Sequence, residues 1–306
     1  MSRLFKSFIF FILAIAFCGC SNKIEPVEET VPPEEPSEET VEEVMQPEML
    51  DFVDAHGNEY RTEISPSVRK HPYDWSCLSK EGQKMIYEGD PRYTCRLGVD
   101  VSYHEGNIDW NLLREEGFTF AIIRLGARGY GESGKVFLDQ QFHHNMEEAK
   151  AAGFDVGVYF FSQAINEQEA EEEAEFVLEN LKGYELDLPV VYDPENILDA
   201  EARTDDVTGE QFTENTIRFC QTVESAGFDT MIYSNMLWEA YQFDLTQLSD
   251  YPVWYADYEP VPQTPYDFTF WQYTEKGVSD AVTEGLDDNY IDFDIQFIPV
   301  DEESTY

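Results

Sequence analysis

The sequence has 306 residues, of which 63 are Asp or Glu and 19 are Lys or Arg, so the formal net charge is −44. Such a chain is repelled by phosphate backbones and anionic lipid headgroups, which argues against nucleic-acid binding and against electrostatic docking on a membrane. The length accommodates one large α/β domain with appended segments. Because acidic residues are so frequent, a single carboxylate is informative only where its position is unusual.

Residues 1–20 have the pattern of an export signal. Arg3 and Lys6 precede an apolar run that ends in small residues and a cysteine. The junction "GCS" around Cys20 is similar to a bacterial lipobox, in which this cysteine becomes the lipidated first residue. A transmembrane anchor is the alternative, but the run is short for the ~20 residues that span a bilayer. We expect a secreted lipoprotein, anchored to the membrane through Cys20 at the extracytoplasmic cell surface.

Two segments precede the main domain. Residues 21–50 are rich in Glu, Pro, Thr and Val, a composition that predicts an extended, disordered tether. Residues 51–95 are predicted to be an irregular lead-in packed on the main domain, with a small β-excursion around the turn "HGNE" and a short helical patch after it. Outside the cytoplasm Cys77 and Cys95 could form a disulfide, a pairing that the sequence leaves open.

From residue 96 to residue 297 the pattern is regular. Near-continuously apolar strands alternate with amphipathic helices that end in glycine, which is typical of parallel β/α units buried on both faces. Five such pairs are followed by three aromatic strands with loops between them, and residues 298–306 are a C-terminal tail. The chain is therefore predicted to be an α/β protein with an irregular TIM-like (β/α)5β3 barrel, and an open doubly wound sheet is the alternative. The predicted strands are 97–102, 118–126, 155–162, 188–193, 229–234, 251–258, 268–274 and 289–297.

Carboxylates follow several of these strands. In a barrel of parallel strands the active site lies at the carboxyl ends, so acids placed there converge on one face. Solvated surface acids would instead crowd the helices, as they do in "EQEAEEEAE". This bias favours a glycosidase site. The acids concerned are Asp100, Asp193, Glu195, Asp257 and Asp292.

The stretch "LPVVYDPENI" places Asp193 and Glu195 two residues apart, so both side chains point to the same side of the strand. Like charges at that distance do not both ionise easily, so the pKa of one of them rises. A carboxyl that keeps its proton is what a general acid needs, while its ionised partner faces the positive charge of an oxocarbenium-like transition state. The alternative is a turn or a helix N-cap, which "DPEN" also fits.

Aromatic residues cluster near the same strand ends. Aromatic rings combine an apolar body with a polar tip and suit the faces of sugars. Some of these rings are expected to be core residues instead. The candidates for substrate contact are Tyr103, Tyr159, Tyr192, Tyr233 and Trp271.

Eight segments of the regular region follow one another along the chain: "GVDVSYHEGNIDW", "FAIIRLGARGY", "AKAAGFDVGVYFFSQA", "LPVVYDPE", "MIYSN", "WYADY", "FWQYT" and "YIDFD". In this order they resemble the successive strands of glycoside hydrolase family 25, the Chalaropsis-type lysozymes or N-acetylmuramidases. The resemblance covers roughly residues 96–297.

The resemblance implies a (β/α)5β3 barrel that cleaves the β-1,4 bond between N-acetylmuramic acid and N-acetylglucosamine in peptidoglycan. Glu195 matches the family's proton donor, and Asp193 the carboxylate that stabilises the transition state or orients the substrate's N-acetyl group. The mechanism stays open between inversion and a substrate-assisted route. No metal or organic cofactor is implied, and we expect a monomer. The other matching site acids are Asp100, Asp257 and Asp292.

Two departures from the family pattern stand out. Glu105 occupies a position where an amide is common, and the closing loop is one residue longer, so Asp287 or Asp288 could take the place of Asp292. Two other functions compete with the muramidase hypothesis. One is a barrel hydrolase acting on a different glycan, and the other is a catalytically inactive barrel that binds glycan at the cell surface.

Overall fold

The computed structural model describes residues 46–198, 200–283, 285 and 289–300. The predicted export signal, the lipidation site at Cys20 and the tether up to residue 45 lie outside these residues, as does most of the predicted tail. Within the described part, no helix is long and apolar enough to cross a bilayer.

The lead-in contains two β-hairpins. The first pairs β1 (Met49–Val53) with β2 (Glu59–Glu63) and contains the predicted "HGNE" turn, so the β-excursion is confirmed. The second pairs β3 (Leu78–Glu81) with β4 (Lys84–Tyr87), where the sequence suggested a helical patch. The helical structure in this stretch is limited to a short 3-10 turn at Trp75–Cys77. The suggestion was wrong for the residues after it, because Gly82, with a φ of 63°, reverses the chain between β3 and β4.

Eight strands then form the barrel, each near a predicted position. A ninth strand, β7, was not predicted and pairs antiparallel with the end of β6. In chain order the strands are β5 (Tyr93–Val101), β6 (Phe118–Arg128), β7 (Val136–Leu138), β8 (Asp155–Ser162), β9 (Val190–Pro194), β10 (Thr230–Asn235), β11 (Val253–Ala256), β12 (Phe270–Val278) and β13 (Tyr290–Pro299).

The order of strands around the sheet is β5-β13-β12-β11-β10-β9-β8-β6, and β6 pairs back to β5. This last pairing closes the sheet, which excludes the open doubly wound alternative and confirms a closed eight-stranded α/β barrel. All neighbours are parallel except β13, which is antiparallel to both β12 and β5. The start of β13 therefore lies at the end of the barrel where the parallel strands finish.

Within the described residues six α-helices accompany the strands, and the last two are short, in keeping with the change of rhythm predicted after the fifth strand. Four of the helical segments end at the glycines that the sequence indicated, and all four have a positive φ: Gly117, Gly153, Gly183 and Gly227. The helices are α1 (Trp110–Glu115), α2 (Phe142–Ala151), α3 (Glu167–Asn180), α4 (Gly209–Ser225), α5 (Met236–Tyr241) and α6 (Leu245–Leu248).

The buried apolar residues form two clusters, one outside the barrel and one inside it. The larger lies between the strands and the helices or the lead-in. The smaller fills the barrel interior and is made of alternate residues on the strands, because successive side chains point to opposite faces. Its members are Phe120, Ile122, Leu188, Val191, Met231, Tyr233, Trp254, Ala256 and Phe270, with Tyr159 packed against them.

The three cysteines of the described part, Cys77, Cys95 and Cys220, are free thiols. Cys220 is fully buried on α4. Cys77 and Cys95 are half-buried and unpaired, so the disulfide that the sequence left open is absent from this structure.

Candidate active site

Four of the predicted acids lie at one end of the barrel. Asp100 stands near the end of β5, Asp193 near the end of β9, and Glu195 follows directly after β9. Asp292 lies near the start of β13, directly opposite Asp100. The four carboxyls are close enough for the charge of Asp100 to raise the pKa of both Asp193 and Asp292.

Burial is the main cause of the raised pKa of each of these carboxyls. Burial, aided by the charge of Glu275, raises the pKa of Glu195 to about 7. Burial also raises the pKa of Asp193 well above its usual value, and the Glu195 charge adds to this effect, while Arg124 opposes it. The sequence argument assigned the raised pKa to repulsion alone, but removal of the carboxyls from water is the larger cause.

The two carboxyls differ in access. Asp193 is 4% exposed, and its Oδ1 has no hydrogen-bond partner among the described residues. Glu195 is only half-buried. Glu195 can therefore exchange a proton with a bound substrate, and Asp193 offers a desolvated acceptor beside it.

The end of β8 holds the main chain of Glu195. The Gln163 side chain donates a 2.6 Å hydrogen bond from Nε2 to the carbonyl oxygen of Glu195. Its Oε1 accepts from the Thr204 hydroxyl at 2.9 Å, farther along the same loop. Gln163 is 1% exposed, so both bonds are shielded from water.

Gln272 was not singled out from the sequence, yet it is central to the site. Its Oε1 accepts from the hydroxyls of Tyr258, at 2.9 Å, and Tyr233, at 3.2 Å. Its Nε2 donates to Asp100 Oδ2 at 2.8 Å. Two hydroxyl donors on Oε1 fix the amide orientation, so an N–H must face Asp100.

Asp294 was also missed. It lies two residues after Asp292, on the same side of β13, and is completely buried. The Trp254 indole donates to Asp294 Oδ1 at 2.7 Å, while Oδ2 has no hydrogen-bond partner among the described residues. Burial, aided by the charge of Asp100, raises the pKa of Asp294 well above its usual value. Period-two alternation from Asp292 could have indicated this residue.

The cation of the site is Arg124 on β6, a further residue that the sequence argument missed. Its Nε donates to Asp139 at 2.8 Å, and its guanidinium lies 5.0 Å from the ring centre of Tyr103. Tyr103 in turn donates its main-chain N–H to Asp139. Glu105 caps the same turn, accepting from the Ser102 N–H at 2.6 Å, and burial raises the pKa of Glu105.

The predicted aromatic contacts fall into two groups. Tyr159 and Tyr233 belong to the barrel interior, and Tyr103 lies on the loop beside Arg124. Tyr192 is adjacent to Asp193 and faces the opposite way: its ring packs 4.6 Å from that of Phe219 on α4. The structure therefore places Tyr192 in the outer core and not with the acids.

Trp271 and Asp257 contact each other and the neighbouring loop. Trp271 is fully buried in the outer cluster and donates to the carbonyl oxygen of Asp257 at 2.7 Å. Asp257 Oδ2 accepts from the Tyr255 hydroxyl at 2.9 Å and from the Gln263 N–H at 2.8 Å. Oδ1 accepts from the Glu259 N–H at 3.0 Å. These bonds tie Trp271 and Asp257 to the loop that follows β11.

The arrangement suits acid-assisted cleavage of a glycosidic bond. It supplies a half-buried carboxyl with a pKa near neutrality, a desolvated carboxyl beside it and aromatic side chains around both. Across the described ranges, no group of three or more His, Cys, Asp or Glu side chains is arranged to hold a metal ion. The expectation that no cofactor is needed stays a prediction.

Comparison with known proteins supports the same interpretation. The family model described as "Glycosyl hydrolases family 25" matches residues 99–282. "Lysozyme M1" of Streptomyces globisporus is 26% identical over 213 residues, which are 63% of this chain and 66% of that protein. "Probable GH family 25 lysozyme 4" of Dictyostelium discoideum is 29% identical over 171 residues, 54% of this chain and 72% of that protein.

Solved structures share the fold. A family 25 glycosyl hydrolase from Bacillus anthracis matches 71% of this chain and 94% of its own, with a TM-score of 0.53 and 26% identity. The modular autolysin LytC from Streptococcus pneumoniae, solved with a synthetic peptidoglycan ligand, matches 81% of this chain with a TM-score of 0.57 and 21% identity. The matched part spans 56% of LytC and just under two thirds of the Streptomyces lysozyme. The match of the family model over residues 99–282 shows that the chain belongs to family 25 of the glycosyl hydrolases.

Proposed function

We propose that the protein is a peptidoglycan hydrolase that cleaves the β-1,4 bond between N-acetylmuramic acid and N-acetylglucosamine. The observation that carries the proposal is the pairing of the half-buried Glu195, whose pKa is raised to about 7, with the buried Asp193. Two relatives named as lysozymes and a fold relative solved with a synthetic peptidoglycan ligand support the substrate class.

In the proposed reaction Glu195 is the general acid. It transfers its proton to the glycosidic oxygen as the bond from that oxygen to the anomeric carbon breaks, and the positive charge that develops on the sugar faces Asp193. Arg124 favours the ionised form of Asp193 that this role requires. Tyr159 and Tyr233 are proposed to contact sugar rings from the barrel interior, and Tyr103 from the adjacent loop.

The place of action is also a proposal. The export signal and the "GCS" junction at Cys20 support a lipoprotein anchored at the extracytoplasmic surface, and the acidic segment after it would span the distance to the wall. We propose a monomer that acts on peptidoglycan glycan strands near the membrane.

The test measures the rate at which a polypeptide of residues 46–306 clears a suspension of purified peptidoglycan. The variant Glu195→Gln and the distant surface variant Glu179→Gln are assayed in parallel. We expect wild-type protein and Glu179→Gln to clear the suspension, and Glu195→Gln to lose at least about a thousandfold of the rate, as expected for loss of general acid catalysis. Reducing-end analysis should find N-acetylmuramic acid at the new ends. New ends of N-acetylglucosamine would overturn the bond assignment, and binding without cleavage would favour an inactive glycan-binding barrel.

A further inference from the structure

The connection from β11 to β12 differs from those earlier in the barrel. The two strands are parallel, so the chain must return between them from the barrel mouth to the opposite end, usually through a helix. In the described structure this connection, residues 257–269, is extended and contains no helix. Thr264, Tyr266 and Phe268 within it are nevertheless buried. A buried extended segment needs partners for its main-chain N–H and C=O groups from elsewhere in the molecule.

The lead-in supplies such partners along residues 65–71. Lys70 pairs with Tyr266 of the connection in an antiparallel β-bridge. Three main-chain N–H groups donate across the same contact: His71 to the carbonyl of Pro265 at 3.1 Å, Asp267 to the carbonyl of Arg69 at 3.0 Å, and Ser65 to the Tyr266 hydroxyl at 2.8 Å. The lead-in therefore lies along the connection as a neighbouring strand would.

A second contact joins the connection to the first hairpin of the lead-in. The Gln263 side chain accepts from the Val53 N–H at 2.9 Å through Oε1 and donates to the Val53 carbonyl at 3.0 Å through Nε2. One amide thus satisfies both main-chain groups at the end of β1. The Gln263 N–H itself donates to Asp257 Oδ2 at 2.8 Å, so the contact extends to the residue that begins the connection.

Tyr258 links this anchored connection to the candidate active site. Its hydroxyl donates to Gln272 Oε1 at 2.9 Å, and the Gln272 amide donates to Asp100 Oδ2 at 2.8 Å. Without the Tyr258 hydroxyl, Gln272 Oε1 would retain the longer bond from Tyr233, at 3.2 Å. Two donors on Oε1 fix the amide more firmly than one. The N–H that faces Asp100 therefore depends on where the connection holds Tyr258.

We propose that residues 49–71 of the lead-in are a positioning element of the active site. By pairing with the β11–β12 connection they hold Tyr258 against Gln272, and Gln272 in turn directs an N–H to Asp100. The effect on glycan cleavage rests on the proposed function, whereas the anchoring of the connection does not. The family model begins at residue 99, so this role belongs to a part of the chain that precedes the matched region.

The first experiment measures the anchoring and needs no activity. Hydrogen exchange read by mass spectrometry compares the wild type with Gln263→Ala. Gln83→Ala is the matched control, because the Gln83 amide bonds the main chain of Val278 on β12 in the same two-way manner.

Relative to α4 as an internal reference, Gln263→Ala should accelerate exchange of residues 258–267 by about tenfold or more, since local opening then breaks fewer bonds. Gln83→Ala should leave these residues unchanged. Unchanged exchange of residues 258–267 in Gln263→Ala would overturn the proposed anchoring, even in a protein that cleaves no glycan.

The second experiment is a double-mutant cycle that measures kcat and KM for the wild type, Gln263→Ala, Tyr258→Phe and the double variant on peptidoglycan fragments. If the lead-in acts through Tyr258, Gln263→Ala should lower kcat about threefold in the wild-type background, with a smaller change in KM, and should have little further effect beside Tyr258→Phe. Equal losses of kcat in the two backgrounds would overturn the proposed route through Tyr258.

A milder variant covers the case in which Gln263→Ala fails to fold, as judged by its thermal transition. Tyr266→Phe removes only the acceptor of the Ser65 N–H and takes the place of Gln263→Ala in both experiments, with the same criteria. If the wild type itself cleaves no glycan, the proposed function fails, and hydrogen exchange alone decides whether the lead-in anchors the connection.

Discussion

Gln163 and Glu195 are joined by a 2.6 Å hydrogen bond from the buried amide of one to the main-chain carbonyl of the other. The proposed acid therefore does not depend on its own strand alone, since β8 also holds the loop that carries it. Thr204, bonded to the other end of the same amide, extends this contact farther along the loop.

Replacement Gln163→Leu should lower kcat by about tenfold, equivalent to about 1.4 kcal/mol in the barrier, with a smaller change in KM. The variant removes the bond to Glu195 and leaves a buried carbonyl unpaired. Thr204→Val is the matched control, because it removes only the second bond of Gln163. Equal losses in the two variants would show that Glu195 is not positioned through this carbonyl.

The pH dependence of kcat/KM should have an alkaline limb near 7. The pKa of Glu195 is raised to about 7, so the protonated form that acts as acid is present below this pH and is lost above it. Because the Glu275 charge contributes to the rise, Glu275→Gln should move the limb to lower pH by a few tenths of a unit. Glu179→Gln is the control, since Glu179 is similarly paired with a lysine but lies on α3. A limb that does not move in Glu275→Gln would contradict the electrostatic link.

Glu239 should make the folded protein less stable as the pH rises. Burial raises the pKa of Glu239 to about 8 from an ordinary value of 4.5, despite a 2.5 Å hydrogen bond from Thr264. Between these two values the folded state binds more protons than the unfolded state, so the free energy of unfolding falls with pH, by about 3 kcal/mol at pH 7.

The variant Glu239→Gln cannot ionise and should therefore gain in melting temperature over the wild type at pH 7.5 more than at pH 4.5. The exposed Glu148→Gln on α2 should show no such trend. A constant difference between Glu239→Gln and the wild type across this range would rule out a buried neutral carboxyl at Glu239.

Asp257→Asn separates a structural role from a role in substrate contact. The Asp257 carboxylate accepts from Tyr255, Glu259 and Gln263, and the Gln263 amide also bonds the main chain of Val53 in the lead-in. Loss of an acceptor should cost about 1–3 kcal/mol of stability, with KM within about twofold of the wild type. Gln263→Ala should show the same pattern. A large rise in KM with unchanged stability would instead restore the sequence-based prediction that Asp257 contacts substrate.

Most of the fold could be predicted because its signals are local. Apolar strands, glycine-ended helices and the shortening of the helices after β10 can all be recognised within short windows of sequence. The strand ends then indicated Asp100, Asp193, Glu195 and Asp292. Strand direction could not be predicted in the same way, since β13 is antiparallel only because of how the chain closes the barrel.

Two predicted substrate contacts, Tyr192 and Trp271, lie in the outer cluster for a common physical reason. Tyr192 and Asp193 are neighbours on one strand, as are Trp271 and Gln272, and neighbours on a strand face opposite sides. Strict alternation would have rejected Tyr192 and Trp271 and favoured Gln272. The pairing of Asp292 with Asp100 could not be predicted, because it depends on which strands meet and in which register.

The position of β13 between β5 and β12 makes closure of the barrel depend on the last strand of the described chain. This strand supplies Asp292 and pairs with both of its neighbours. A polypeptide that stops before Tyr290 would contain Glu195 and Asp193, but the sheet around them would stay open. We therefore expect a chain truncated before β13 to lack the enclosed arrangement of acids.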